Sequence, residues 1–276
     1  MKQQRRRRIA DSLLYGIMAA AFAGVGALLV CILAYILASG AGHFSLGFLL
    51  RPAQAGGIFP MILTTLYVVL LSLAIALPVG VMTAVFLNEY AGSPQWIKLL
   101  RLAVETLAGI PSILYGLFGL LLFCRFFKLG QSVISGALTL SVMLLPVIIR
   151  TVEESLKTIP ASFREASLSL GATKFQTLTH IVIPEALPGI LTAAVLAAGR
   201  AAGESAPVLL TVGIARNIPK SVFDSGRTLT VHLYYLTKEA VRPDDFGIAF
   251  ATAAALIMLV VIINTGAKII ARCFRK

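Results

Sequence analysis

Long stretches of this chain contain no Asp, Glu, Lys or Arg at all. They cover residues 12–50, 52–88, 106–124, 129–149, 186–199 continuing through 205–215, and 246–267. A helix needs about 20 mainly apolar residues to cross the hydrocarbon core of a bilayer. Lipid offers no hydrogen bonds, so a spanning segment must satisfy its own backbone, as a helix does. The runs therefore predict an all-α membrane protein with six helices, near 12–38, 59–87, 103–124, 130–150, 187–212 and 246–268. Charged residues make up 13% of the chain, against about 25% in a soluble domain. That is too few to clothe a water-facing surface. The 276 residues form a single transmembrane domain, with hardly any room for a separate enzymatic one.

The net charge of +12 could invite nucleic acid, but in a membrane protein basic flanks hold helix ends on the cytoplasmic side. With the N-terminus inside, the inner segments carry 15 Lys and Arg and the outer loops 8. Both termini are expected in the cytoplasm. The basic residues 5–8 before the first run resemble the start of a signal peptide. The run that follows far exceeds a signal core of about 7–15 residues, so it is read as an uncleaved first span. Residues 125–131 join the third and fourth spans closely enough to make them an antiparallel hairpin. Cys31, Cys124 and Cys273 are odd in number and widely spaced, which indicates neither a disulfide framework nor a metal site.

The longest inner loop, 151–187, carries its own helix signals. Ser162 and Glu165 have capping-box spacing and predict a short helix over 163–170, ended by Gly171 in a left-handed conformation. Thr173 and Gln176 repeat the pattern and predict a second short helix closed by Pro184. Phe163, Phe175 and Leu178 would then be exposed and in need of cover. A lipid surface and a protein partner suit that apolar face equally; DNA does not suit a loop held between two spans.

The string Arg164-Glu165-Ala166-Ser167-Leu168-Ser169-Leu170-Gly171-Ala172, followed by Ile181-Val182-Ile183-Pro184, resembles the EAA loop of ABC importer permeases. Ser167 stands in place of the second alanine and Ile183 in place of a leucine. The resemblance implies that this loop couples to an ATP-hydrolysing subunit through Glu165, Ala166 and Gly171. It extends over nearly the whole chain. Gly56-Gly57-Ile58 leading into Thr64-Thr65-Leu66, Leu87-Asn88-Glu89-Tyr90-Ala91, the stretch from Gly109 through Pro111 and Gly116 to Gly119, Leu145-Pro146 leading to Arg150 and Glu153-Glu154, and Gly199-Arg200-Ala201-Ala202-Gly203-Glu204-Ser205-Ala206-Pro207 are similar in order and spacing to phosphate-specific permeases of the PstA kind. That resemblance implies a type I ABC importer fold and transport of inorganic phosphate. It also implies four kinds of partner: a homologous PstC-like permease subunit, a dimer of ATP-binding subunits, an extracytoplasmic phosphate-binding protein and membrane lipid. The chain has no G-x-x-x-x-G-K-[ST] sequence, so ATP and magnesium are expected on the partner and no cofactor on this chain. Related importers of molybdate or sulfate would share the same spans and loop. A non-transporting sensor or membrane enzyme would need a different set of residues.

Within the fifth run, Arg200 lies about 18 Å along a helix counted from Pro188, at 1.5 Å per residue. Glu204 follows four residues later, on the same face. Ionisable residues inside a membrane face a cavity or the bundle interior. Two roles fit the pair: an anion pathway in which a guanidinium meets oxyanion oxygens bidentately, and an ion pair that fixes helix register. Gly199 and Gly203 form G-x-x-x-G, which lets another helix approach closely, and Pro207 should open the helix ladder locally. His43, His180 and His232 are read as solvated or capping histidines. Glu105 is read as the start of the third span, where its charge suits a helix N-terminus. Pro78, Pro111 and Pro146 are read as bends or helix-entry residues. No catalytic constellation is visible.

Overall fold

A computed structural model describes residues 2–90, 94–241 and 243–273. Ala91 and Arg242 of the sequence reading lie outside the described residues, as do the side chains of residues 5–8, Asp244 and Cys273. Among the described residues every regular element is helical. The helices are α1 (Lys2–Gly40), α2 (Leu46–Leu50), α3 (Phe59–Val85), α4 (Pro94–Gly109), α5 (Ser112–Gly119), α6 (Val133–Lys157), α7 (Ala161–Ser169), α8 (Lys174–Thr177), α9 (Ile183–Gly203), α10 (Ala206–Thr211), α11 (Leu229–Glu239) and α12 (Pro243–Cys273). Three wide π turns, Phe86–Tyr90, Leu120–Phe126 and Leu178–Val182, extend α3, α5 and α8.

Among the described residues, five helical segments are long and apolar enough to cross a membrane: Leu13–Gly40, Phe59–Tyr90, Val133–Lys157, Lys174–Gly203 and Asp245–Ile269. The region predicted as a third span near 103–124 is instead bent by 100° between Gln95–Gly109 and Ser112–Phe126. Counted as one broken span, this pair makes six. The break falls at Ile110 and Pro111. Pro111 cannot donate a ladder hydrogen bond and disfavours a helical residue before it, so α4 stops and α5 starts afresh with Pro111 as its N-cap residue. Glu105 accordingly sits in the last turns of α4 and not at the entry to a span.

The core is α3, α6 and α9. Leu140, Leu144, Ile148 and Val152 of α6 are fully buried against Val68 and Ala76 of α3 and Ala193 and Ala197 of α9. Small residues set the spacing, as membrane helix contacts require. A Cβ on Gly80 of α3 would come within 2.6 Å of Ile148 Cγ2, and one on Gly189 of α9 would collide with the Ser155 side chain. Buried hydroxyls return their protons to the helix: Thr64 and Thr65 bond to Pro60 O and Met61 O at 2.8 and 2.7 Å. Ser141 reaches across to Ser72 O of α3 at 3.0 Å.

Helix α1 stands apart. Its side chains are exposed along most of its length, and its packing is against α12. There Tyr35 meets Phe250 edge-on at 5.5 Å, and Gly40 lies against the backbone of Phe250 and Ala251. A helix apolar all round with little protein cover is one suited to lipid.

The fifth span departs from expectation at both ends. Pro184 does not close a short helix; α8, the π turn and α9 form one continuous rod from Lys174 to Gly203. The π turn explains how the rod passes a proline. Ile183 N–H donates to Leu178 O, five residues back, so the register has already shifted where Pro184 brings no N–H. At the other end the rod stops at Gly203, short of the predicted 212, and Glu204 adopts an extended conformation. Pro207 is not an opening inside a helix. It stands in the first turn of α10, where its missing N–H would have no intrahelical partner anyway.

Candidate functional site

Two regions collect the residues singled out by sequence. One is the hairpin of α7 and α8. Gly171 has φ +86°; its N–H donates to Leu168 O at 3.0 Å, and Ala172 N–H donates to Ser167 O at 3.2 Å. These two bonds form a Schellman turn. The Thr173–Gln176 capping box is present, with Gln176 N–H on Thr173 Oγ1 at 3.2 Å and Thr173 N–H on Gln176 Oε1 at 2.8 Å. The Ser162–Glu165 box is not formed. Pro160, at φ −57°, is the N-cap residue, so Ser162 is already inside the first turn and too late to cap it.

Sequence reasoning missed what fastens this hairpin to the bundle. Arg164 of α7 donates through Nη2 and Nε to Glu89 Oε1, at 2.8 and 3.1 Å. The same guanidinium bonds Ile159 O at 2.9 Å and Leu156 O at 3.2 Å. Glu89 belongs to the π turn that ends the second span, 75 residues away, and pattern alone does not pair residues at that distance. Ser167 and Thr177 share a buried hydroxyl contact of 2.9 Å between α7 and α8. Leu178, predicted to be exposed, is buried. Phe163 and Phe175 are exposed, as are Leu168 and Leu170, the last at 89%. Phe163, Ala166, Leu170, His180, Pro184 and Glu185 border an open, mainly apolar groove of about 520 Å³, and Glu165 is exposed on the same hairpin.

The second region is the break after α9. Arg200 lies in the last turn of the rod, where a helix C-terminus favours a cation. Glu204 has left the helix, yet its Oε1 lies 3.6 Å from Arg200 Nε. The pair therefore spans a helix end and does not lie along one helix face. Gly199 is tight against α12, a Cβ there reaching 2.9 Å from Asn264 Oδ1. Gly203 has no neighbour within 4 Å of such a Cβ, so the G-x-x-x-G pair engages α12 on one side only within this chain. Thr230 Oγ1 of α11 donates to Glu204 O at 2.8 Å, tying the break to the segment that follows. Broken helices lining polar interiors are how membrane proteins present backbone and charge at depth.

A third polar group was not foreseen. Glu153 Oε1 of α6 forms ion pairs with Arg101 Nη2 of α4 at 2.6 Å and Lys157 Nζ at 2.9 Å. Glu105, Arg150 and Glu154 line the same cavity of about 270 Å³. Three cations and three acids balance there, which holds the bent α4 to α6. Among the described residues no group of His, Cys, Asp and Glu has the arrangement of a metal site.

Residues 76–276 match the family described as binding-protein-dependent transport system inner membrane component. The chain belongs to that family. Its relatives agree. It is 33% identical over 279 residues, 95% of each chain, to the probable ABC transporter permease protein YqgI of Bacillus subtilis. It is 37% identical over 218 residues to the phosphate transport system permease protein PstA 1 of Mycobacterium tuberculosis, covering 78% of this chain and 71% of that one. The fold also matches the bacterial alginate ABC transporter, crystallised with its pentasaccharide-bound periplasmic protein, at a TM-score of 0.74 over 96% of both chains with 15% identity. The inward-facing MetNI methionine ABC transporter matches at a TM-score of 0.61 and 23% identity, over 79% of this chain and 94% of that one. The chain is thus a multi-pass, pore-forming permease subunit with the helical fold of ABC importers, similar to permeases of the PstA kind.

Proposed function

We propose that this permease carries inorganic phosphate across the cytoplasmic membrane as half of an ATP-driven importer. The observation that carries the reading is Arg200, a guanidinium in the last turn of a broken span, in a chain whose relatives include phosphate permeases at 31–37% identity. A planar guanidinium matches the oxygens of a tetrahedral anion bidentately, and Glu204 holds it between passages. The other half of the pore is a homologous PstC-like permease subunit. ATP and magnesium are bound and used on a dimer of ATP-binding subunits, and an extracytoplasmic binding protein delivers the phosphate. The α7–α8 hairpin, with Glu165, Ala166 and Gly171, docks on the ATP-binding subunit; its exposed phenylalanines and apolar groove support this reading. Both termini lie in the cytoplasm, which places the hairpin inside and the 214–240 segment outside.

The test is uptake of labelled phosphate by cells lacking only this gene and by cells with it restored, with molybdate and sulfate as competitors. Restored uptake that phosphate alone competes is the expected result. No restored phosphate uptake, with uptake of labelled molybdate or sulfate restored in its place, would assign the pore to another oxyanion.

A further inference from the structure

The segment between α10 and α11 buries a positive charge that has no ion pair among the described residues, Glu239 acting on it only at longer range. Arg227 is only 6% exposed. Its Nε donates to Ile214 O at 3.0 Å, and its guanidinium carbon lies 4.6 Å from the centre of the Tyr235 ring. Its Nη1 is buried with no protein partner, and among the described residues no carboxylate forms an ion pair with it. Asp224, three residues earlier, spends Oδ2 on the N–H groups of Lys220 and Ser221, both at 2.9 Å. His232, one turn into α11, is 8% exposed, and its Nδ1 is likewise buried without a protein partner. Burial and the nearby charges of Arg227 and Arg216 push the His232 pKa down from 6.5 to about 4, so the imidazole is neutral at pH 7. Buried charges are ordinarily paired, and buried donors are ordinarily bonded. This cluster has an unused guanidinium donor, an unpartnered imidazole nitrogen and a positive field. It also connects to the break: Thr228 and Thr230 share a hydroxyl contact of 3.0 Å, and Thr230 bonds Glu204 O.

We propose that Arg227 and His232 form a second oxyanion site, separate from Arg200 and joined to it through Thr228, Thr230 and the Glu204 carbonyl. Its ligand is a small tetrahedral oxyanion that accepts from Arg227 Nη1 and meets His232 Nδ1. Both atoms are sealed from solvent in this conformation, so the anion enters as Arg227 leaves the Ile214 carbonyl. Two weak stations in series suit conduction, because a single strong site would hold its ion. The inference extends the phosphate reading, but it is tested apart from uptake.

The chain has three histidines, so nitrogen-15 histidine placed in this chain alone, within the assembled importer in nanodiscs, resolves His232 by NMR. Titrating inorganic phosphate should shift the His232 signal saturably while His43 and His180 stay in place, and chloride at equal ionic strength should not. Arg227→Gln should raise the phosphate needed for half the shift at least tenfold. If that variant fails to assemble, the wild-type titration still decides. An unmoved His232 under saturating phosphate overturns the site, and so does a chloride shift of equal size. Phosphate uptake by an importer whose His232 does not respond would leave the transport reading standing and remove this one. A saturable His232 shift in an importer that moves no phosphate would uphold the site and remove the transport reading.

Discussion

Arg200 and Glu204 test how a membrane protein uses a charge. Their side chains are 36% and 17% exposed within the chain and 3.6 Å apart, so solvent screening holds their mutual stabilisation to about 1 kcal/mol. If the pair only fixed helix register, replacing both members by apolar residues would be neutral or better. We expect Arg200→Met with Glu204→Met to assemble normally and move no phosphate, measured by pull-down of the partner subunits and labelled uptake in one preparation. Arg200→Lys keeps the charge and loses the fork, so partial uptake is expected. Wild-type uptake by the double variant would make Arg200 a structural residue. Both residues were legible in the sequence because each interrupts a long uncharged run. Arg227 and His232 were not. They lie among Arg216, Lys220, Asp224 and Lys238, where a charge stands out from nothing, and only the fold shows that they are buried.

At the scale of the element, local signals succeeded where the cue was local. Gly171 and the Thr173–Gln176 box act within a few residues, and both appear as the spacing predicts. The failures came at prolines, whose effect depends on the backbone conformation around them. Pro160 set the start of α7 ahead of Ser162. A π turn carried the chain through Pro184, and a hundred-degree bend replaced a straight third span. Hydropathy registers how apolar a stretch is but not whether its ladder is continuous. Gly171 supplies the sharpest prediction here. Its left-handed φ costs a residue bearing a Cβ about 1–2 kcal/mol and is worse for a β-branched one. No atom lies within 4 Å of a Cβ at Gly171, so the penalty is conformational and not a clash. Gly171→Val should leave membrane insertion intact while weakening association with the ATP-binding subunit and abolishing most uptake. Gly171→Asn, which tolerates that region, should retain much of both. Full uptake in the valine variant would show that the hairpin is not the coupling element.

For the whole molecule, the all-helical character and five of the six expected spans were readable from composition and run length alone, because the bilayer demands both. Orientation rests on the excess of basic residues in the segments taken as inner, 15 against 8. Reporter fusions after residue 50, within 216–242 and at the C-terminus should report outside, outside and inside. A C-terminal reporter found outside would invert the arrangement and place the α7–α8 hairpin beyond reach of any cytoplasmic ATPase. The contact between α1 and α12 bears on synthesis as well as on shape. Tyr35 and Phe250 are 215 positions apart in the sequence, and translation at up to 20 residues per second separates their appearance by roughly ten seconds. Throughout that interval the described part of the first helix lacks its main mate, so it waits in lipid or beside an insertion factor until α12 arrives. Helices α1 and α12 are thus a clasp that closes only once α12 has been made, and a ribosome that stalls before α12 leaves that clasp open.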